Sequence, residues 1–78
     1  MKVRVLIRLK PGVLDAQGRA VENALSDLGY DAVTSVRVGK LVELEVSESD
    51  PAKAQSLVRE ACEKLLANPV IETFSIES

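Results

Sequence analysis

The stretch that decides the fold is KVRVLIRL, residues 2–9. Its two faces differ in character, with Val3, Val5, Ile7 and Leu9 on one side and Lys2, Arg4, Leu6 and Arg8 on the other. This period of two predicts a β-strand with one buried face. Pro11 and Gly12 follow and end the strand.

Two segments with helical spacing come next along the chain. The first, Asp15 to Leu28, has apolar residues at i, i+3, i+4 and i+7 and a candidate N-cap in Asp15. It ends before Gly29, where a helix C-terminus favours a left-handed residue. The second opens with Asp50 as N-cap and Pro51 in its first turn, and Asn68-Pro69 ends it.

Three further segments predict β-structure. Ala32–Val38 and Val42–Val46 flank the turn signal Gly39-Lys40, which predicts a tight hairpin. Val70–Glu77 predicts a last strand whose buried face carries Val70, Phe74 and Ile76.

The resulting order, βαββαβ, predicts an α+β, ferredoxin-like fold in which two helices cover one face of a four-stranded antiparallel sheet. Residues 1–78 form a single domain. Strand order 4-1-3-2 places the first strand beside the third, so we expect Arg4 and Arg8 to face Glu43 and Glu45. The turn after the first strand and the Gly39-Lys40 turn are expected at the same end of the sheet.

Length and composition predict an oligomer in a reducing compartment. A core of 78 residues rarely supplies more than about 3–5 kcal/mol of net stability. The single cysteine cannot form a disulfide within the chain, and there is no histidine to bind a metal. We therefore expect at least a dimer, and the lone thiol favours the cytoplasm.

Charge and hydropathy argue against two classes of partner. The net charge of −2, with acids and bases interspersed, provides no basic field for nucleic acid. The expected outer sheet face also lacks the aromatic side chains on which an RNA-recognition domain stacks bases. No apolar run approaches the length of about 18 residues needed to span a bilayer, so we expect no membrane partner.

The residues suggest no catalytic, cofactor-binding or metal site in this chain. Cys62 has no histidine partner, and its place on the second helix favours a packed thiol. Glu43 and Glu45 are better explained as members of a solvated ion-pair ladder. The glycines near the first helix match no phosphate-binding loop and favour a strand-to-helix turn.

Three kinds of function remain open on the residues alone. A non-catalytic domain that joins other proteins agrees best with these absences. A regulatory module that binds a small ligand at a subunit interface stays possible, and thermal shifts with free amino acids would reveal it. A purely structural oligomer is the third, and co-purification with a large ATP-dependent ligase would exclude it.

Three stretches carry a resemblance to a known family: LKPGVLDAQG at residues 9–18, VRVGK at 36–40 and LLANPVIE at 65–72. In this order and spacing they closely resemble PurS, the family of small subunits of bacterial and archaeal phosphoribosylformylglycinamidine (FGAM) synthase. The resemblance covers nearly the whole chain. It implies a role in purine biosynthesis, in an enzyme that uses ATP and glutamine.

The resemblance also implies partners and a division of labour. A large PurL-type synthetase would use ATP and magnesium, and a PurQ-type glutaminase would release ammonia. PurS, with no active site or cofactor of its own, would join the two and assist ammonia transfer.

The residues that match the family pattern predict where partners bind. They lie in the two turns and are Lys10, Asp15, Gln17, Gly18, Arg37, Gly39 and Lys40. Asn68-Pro69 also matches. Ala16 departs from the pattern, since many members have proline there, and this should only loosen the start of the helix.

Overall fold

The computed structural model describes residues 1–77. Its strands and helices, in chain order, are β1 Lys2–Leu9, α1 Ala16–Asp27, β2 Lys40–Glu45, α2 Pro51–Ala61 and β3 Glu72–Glu77. A single π-helical segment, Cys62–Leu66, extends α2. The chain is thus an α+β protein, as predicted, with each predicted helix in place.

β1 is the central strand of an antiparallel sheet ordered β2-β1-β3. Val5 lies opposite Val42 on one side and opposite Ile76 on the other. The predicted neighbours of the first strand are therefore confirmed. Arg4 faces Glu43 as expected, whereas Arg8 is opposite Thr73 and lies beyond the two glutamates.

The core lies between the sheet and α2. Val3, Val5 and Ile7 on the apolar face of β1 are fully buried, and α2 covers them with small and β-branched side chains. The buried apolar residues are Val3, Val5, Ile7, Val46, Ala54, Val58, Cys62 and Ala67. Each large side chain contributes about 1.5–3 kcal/mol on burial. Asp50 starts α2 by accepting a 3.0 Å hydrogen bond from the Ala52 N–H, and Pro51 occupies its first turn.

The predicted strand Ala32–Val38 is wrong for the single chain, and so is the hairpin at Gly39-Lys40. The segment 32–39 forms no strand, and β2 begins directly at Lys40. A strand needs a neighbouring ladder of hydrogen-bond partners, which this segment lacks within its own chain. The Val38 N–H instead donates to the side chain of Asp15. The sheet described by residues 1–77 therefore has three strands rather than four.

The prediction that two helices cover the sheet is also wrong for the single chain. α2 contacts β1 and β3, whereas α1 makes no comparable packing contact within residues 1–77. Residues 11–39, here called the arm, extend from one end of the sheet. The Cα radius of gyration is 15.9 Å, against about 11.5 Å for a compact chain of this length.

The last strand begins two residues later than predicted. Val70 is 77% exposed instead of lying on the buried face. The Asn68 side chain accepts a hydrogen bond from the Val70 N–H, and the Glu72 side chain accepts one from the Asn68 N–H. These bonds hold residues 68–71 in a turn, so β3 can start only at Glu72.

Candidate functional site

The seven residues predicted to meet partners lie together where the arm leaves the sheet. We call this region the arm base: residues 10–18 and 36–40. It joins the end of β1, the start of α1 and the start of β2. The two turns are therefore at the same end of the sheet, as the topology predicted.

Asp15 ties the two segments of the arm base together. One carboxylate oxygen, Oδ1, accepts a 2.7 Å hydrogen bond from the Gly18 N–H and so caps α1. The other, Oδ2, accepts a 2.7 Å bond from the Val38 N–H. The bonds from Gly18 and Val38 and the charge of Arg37 together lower the pKa of Asp15, although burial opposes them.

Arg37 makes the second link between these segments. Its guanidinium donates to the carbonyl oxygens of Val13, at 3.0 Å, and Lys10, at 3.2 Å. The side chain remains exposed to solvent. A guanidinium has five N–H donors, so Arg37 can donate further hydrogen bonds to another group. Arg37 is thus a cation held in a fixed place.

Two glycines in the arm base are required by close backbone contacts. A Cβ atom at Gly18 would lie 2.5 Å from the Val36 carbonyl oxygen. A Cβ atom at Gly39 would lie 2.7 Å from the Ile7 carbonyl oxygen. Any other residue would force the segments apart, so both glycines have a structural reason that is independent of any partner.

Lysines connect the arm base to the turn before β3. The Lys10 ammonium donates to the Pro69 carbonyl oxygen at 2.7 Å. The Lys40 ammonium lies 3.9 Å from a carboxylate oxygen of Glu72. The three stretches that resemble the family pattern therefore meet at one end of the molecule.

These contacts divide the predicted site residues into two groups. Asp15, Gly18, Arg37 and Gly39 hold the arm base together. Lys40 and Gln17 are exposed, and Lys10 is half-buried. The structure thus explains four of the seven family residues by contacts that hold the two segments of the arm base together, whereas Lys10 and Lys40 contact the turn before β3 and Glu72.

The arm base offers exposed polar and charged side chains for recognition. Within residues 1–77 no group of three or more cysteine or acidic side chains is placed to hold a metal ion. Cys62 is fully buried, and burial raises the pKa of its thiol. Its predicted packed position is confirmed. Every buried side-chain nitrogen and oxygen in that same span has a hydrogen-bond partner.

A groove of about 520 Å³ adjoins the arm base on the sheet face opposite α2. Leu6 and Leu41 form its floor beside Pro11, and its cations are Arg8 and Arg37. The site predicted from the sequence did not include Leu6, Arg8, Leu41 or Pro11. The available signal was a pair of leucines at outward positions of strands whose other outward side chains are charged.

Comparisons with known proteins agree on one family. A family model described as "PurS: Phosphoribosylformylglycinamidine (FGAM) synthase" matches residues 2–78. The Bacillus subtilis protein named phosphoribosylformylglycinamidine synthase subunit PurS is 50% identical over 76 residues, which are 97% of this chain and 89% of that protein. The similarity therefore extends across both chains.

Solved structures give the same result. The structure of Bacillus subtilis PurS superposes with a TM-score of 0.87 at 50% identity, covering 97% of this chain and 94% of that one. A chain of the structure described as PurLQS from Thermotoga maritima has a TM-score of 0.89 at 33% identity, covering 97% and 93%. Across residues 1–77, no helix combines the length and apolar character needed to cross a membrane.

Proposed function

Because the chain belongs to the PurS family of phosphoribosylformylglycinamidine synthase subunits, we propose that it joins a PurL-type synthetase to a PurQ-type glutaminase and assists ammonia transfer between them. The observation that carries this is the family match over residues 2–78. The synthase acts in purine biosynthesis and uses ATP. ATP and magnesium belong to the large subunit in this proposal, and the cytoplasm is the proposed location.

A subunit without catalytic groups assists such a reaction by position. Ammonia released into water is diluted and protonated before it reaches a second active site. Holding two active sites in a fixed relation replaces an encounter in solution with a local one at high effective concentration. The chain's contribution is then measured by how much glutamine-dependent synthesis depends on it.

The arm base is the proposed partner interface, through Lys10, Asp15, Gln17, Gly18, Arg37, Gly39 and Lys40. Its exposed charges are basic, because its one carboxylate, Asp15, is buried, and a polar surface of this kind suits a subunit interface that is not a hydrophobic core. Gln17, Lys10 and Lys40 would contact the partner. Asp15, Arg37 and the two glycines would keep those side chains in place.

The chain is proposed to form at least a dimer, and the arm supplies the reason. α1 and the residues just after it carry apolar side chains that stay in water in the single chain: Val21 is 41% exposed, the C-cap Leu28 73% and Tyr30 59%. Their burial would contribute about 1.5–3 kcal/mol for each large side chain. A second copy provides a symmetric way to cover them.

Exchange of arms between two copies would also complete the predicted fold. Only α2 covers the sheet of the single chain, and the outer edge of β2 has no neighbouring strand among the described residues. The arm of a second copy would place its α1 beside α2 and its segment 32–38 along β2. The four-stranded, ferredoxin-like sheet with two helices on one face would then be assembled from two chains.

One pair of variants tests the exchange. Leu28→Asp places a charge on the apolar stripe of α1, whereas Asn23→Asp places the same charge on the same helix away from the stripe. We expect the first to raise the dimer dissociation constant by at least about tenfold and the second to leave it unchanged. Sedimentation equilibrium measures both, and equal effects, or a monomeric wild-type protein, would contradict the exchange.

Assembly is tested with the three proteins of one organism. The wild-type chain, its PurL-type synthetase and its PurQ-type glutaminase are mixed with ATP, magnesium and glutamine, and complexes are weighed by light scattering. We expect a complex that contains all three proteins. A synthetase and glutaminase that associate with each other equally well without this chain would contradict the joining role.

A further inference from the structure

We propose that the groove on the sheet face opposite α2 binds a segment of a partner subunit that presents an apolar side chain next to a carboxylate. The inference rests on the proposed function, in which the chain joins two other subunits. It assigns a binding site to Leu6, Arg8 and Leu41 and states the chemistry of what binds there.

The floor of the groove is apolar where its surroundings are charged. Leu6 and Leu41 are opposite each other in the register of β1 and β2, so their side chains are neighbours on one face. The adjacent outward pair is Arg4 with Glu43. Leu41 is 46% exposed. A leucine pair on this face gains free energy only when another apolar group covers it.

The rim of the groove carries positive charge alone. The side chains of Arg8 and Arg37 line it, and no aspartate or glutamate is among its lining residues. Lys40 also lines it, but its ammonium is paired with Glu72 on the other face of the sheet. This is a local arrangement, because the chain as a whole has a net charge of −2. Arginine recognises carboxylates through paired N–H donors, so a carboxylate is the complementary group.

The cations are arranged in advance. Arg37 is held by the Val13 and Lys10 carbonyl oxygens and keeps further N–H donors for a ligand. The Cγ atom of Arg8 lies 3.5 Å from the position that a Cβ atom of Gly39 would occupy, so its stem runs beside this glycine. A site that is formed before binding loses less side-chain entropy when its partner arrives.

A partner subunit is a better occupant than a second copy of this chain. The proposed exchange of arms uses the face covered by α2 and the edge of β2, which leaves the opposite face open. The groove also borders the arm base, so a segment in it would continue the proposed partner interface. Its volume of about 520 Å³ is within the range of roughly 300–1,000 Å³ typical of binding sites.

Two substitutions and two matched controls test the groove. Leu41→Glu puts a carboxylate on the floor, and Arg8→Glu reverses a rim charge. Leu65→Glu and Lys53→Glu make the same changes at exposed positions on the α2 side. Dissociation constants are measured separately for the PurL-type synthetase and the PurQ-type glutaminase of the same organism, at two salt concentrations.

We expect each groove variant to weaken binding to one of these subunits about 10- to 100-fold. Both controls should bind like wild type. Arg8→Glu should also reduce the loss of affinity that added salt causes in the wild-type protein. The two groove variants should keep the wild-type melting temperature and dimer dissociation constant.

Three results would overturn the proposal. Groove variants that bind both subunits as tightly as the controls would show that no partner segment lies there. Groove variants that dissociate the dimer would assign the groove to a second copy. If binding by Arg8→Glu depends on salt as strongly as binding by the wild-type protein, the partner does not present a carboxylate to the groove. If the wild-type chain binds neither subunit, the proposed joining function fails instead, so the two failures are distinguishable.

Discussion

Replacing Gly18 by alanine separates two effects of opposite sign in the arm base. Gly18 lies in the first turn of α1, where alanine would favour the helix. It is also buried, with its backbone against Val36 from the other segment of the arm base. The stability of the variant therefore reports whether the arm base is packed as the structure describes.

The steric cost is larger than the gain in helix propensity. Alanine is favoured over glycine in a helix by about 1 kcal/mol, whereas a methyl group forced into a packed contact costs about 1–3 kcal/mol. The new carbon would begin 2.5 Å from the Val36 oxygen, and carbon–oxygen contacts lie near 3.3 Å. The segments must separate by about 0.8 Å, which strains the nearby bond between Asp15 and the Val38 N–H.

We expect Gly18→Ala to lower the free energy of unfolding by up to about 2 kcal/mol. Urea unfolding, followed by circular dichroism at one fixed protein concentration, measures this value. Asn23→Ala, at an exposed position of the same helix, is the control and should gain about 0.5 kcal/mol. A Gly18→Ala protein that is stabilised by as much as its control, or more, would refute the packing of the arm base.

Three further predictions concern stability and association. The lowered pKa of Asp15 means that its ionised form contributes stability above the unfolded-state pKa of about 4, and that this contribution is lost as pH falls through the folded-state pKa. The free energy of unfolding should thus fall more below pH 4 for the wild-type protein than for Asp15→Asn. If this free energy changes with pH in parallel for the two proteins, the Asp15 carboxylate does not stabilise the fold. Cys62→Ala should cost about 1 kcal/mol and leave synthase activity unchanged. Cys62→Ser should lower the free energy of unfolding more than Cys62→Ala does, because it buries a hydroxyl in an apolar core. A larger loss in Cys62→Ala than in Cys62→Ser would show that the thiol is not packed. The melting temperature of the wild-type chain should rise with its concentration, and a constant value would argue against the dimer.

Periodicity and caps were sufficient for the elements whose stability is local or depends on one buried face. β1 has the bounds predicted from its alternation, Lys2–Leu9. Asp15 and Asp50 cap the two helices as predicted, and Gly29 has the positive φ, 92°, expected after the first helix. These features depend on residues that are neighbours in the sequence.

The segment 32–38 shows the limit of the same reasoning. Its valines have the propensity of a strand, but a strand also requires a partner, and propensity does not say whether that partner is in the same chain. The helical spacing of the apolar residues of α1 likewise predicts that this face is covered, but it does not identify the element or the chain that covers it. Both errors concern the arm, where the single chain leaves apolar groups without partners.

The location of the candidate site followed from topology, whereas its bonds did not. Antiparallel order was enough to put both turns at one end of the sheet. The bonds of Arg37 to Val13 and Lys10 join residues 24 and 27 positions apart, and no local pattern encodes them. The groove was missed for a related reason, since Leu6 and Leu41 become neighbours only through the register of β1 and β2.

The central claim is that this chain couples ammonia release to its use, and the ratio of two synthase rates tests it most directly. The PurL-type synthetase and the PurQ-type glutaminase are assayed with ATP and magnesium, with and without the chain, using either glutamine or ammonium salt as the nitrogen source. The account predicts that omitting the chain abolishes most glutamine-dependent synthesis and reduces ammonium-dependent synthesis far less. Equal glutamine-dependent rates with and without the chain would contradict it.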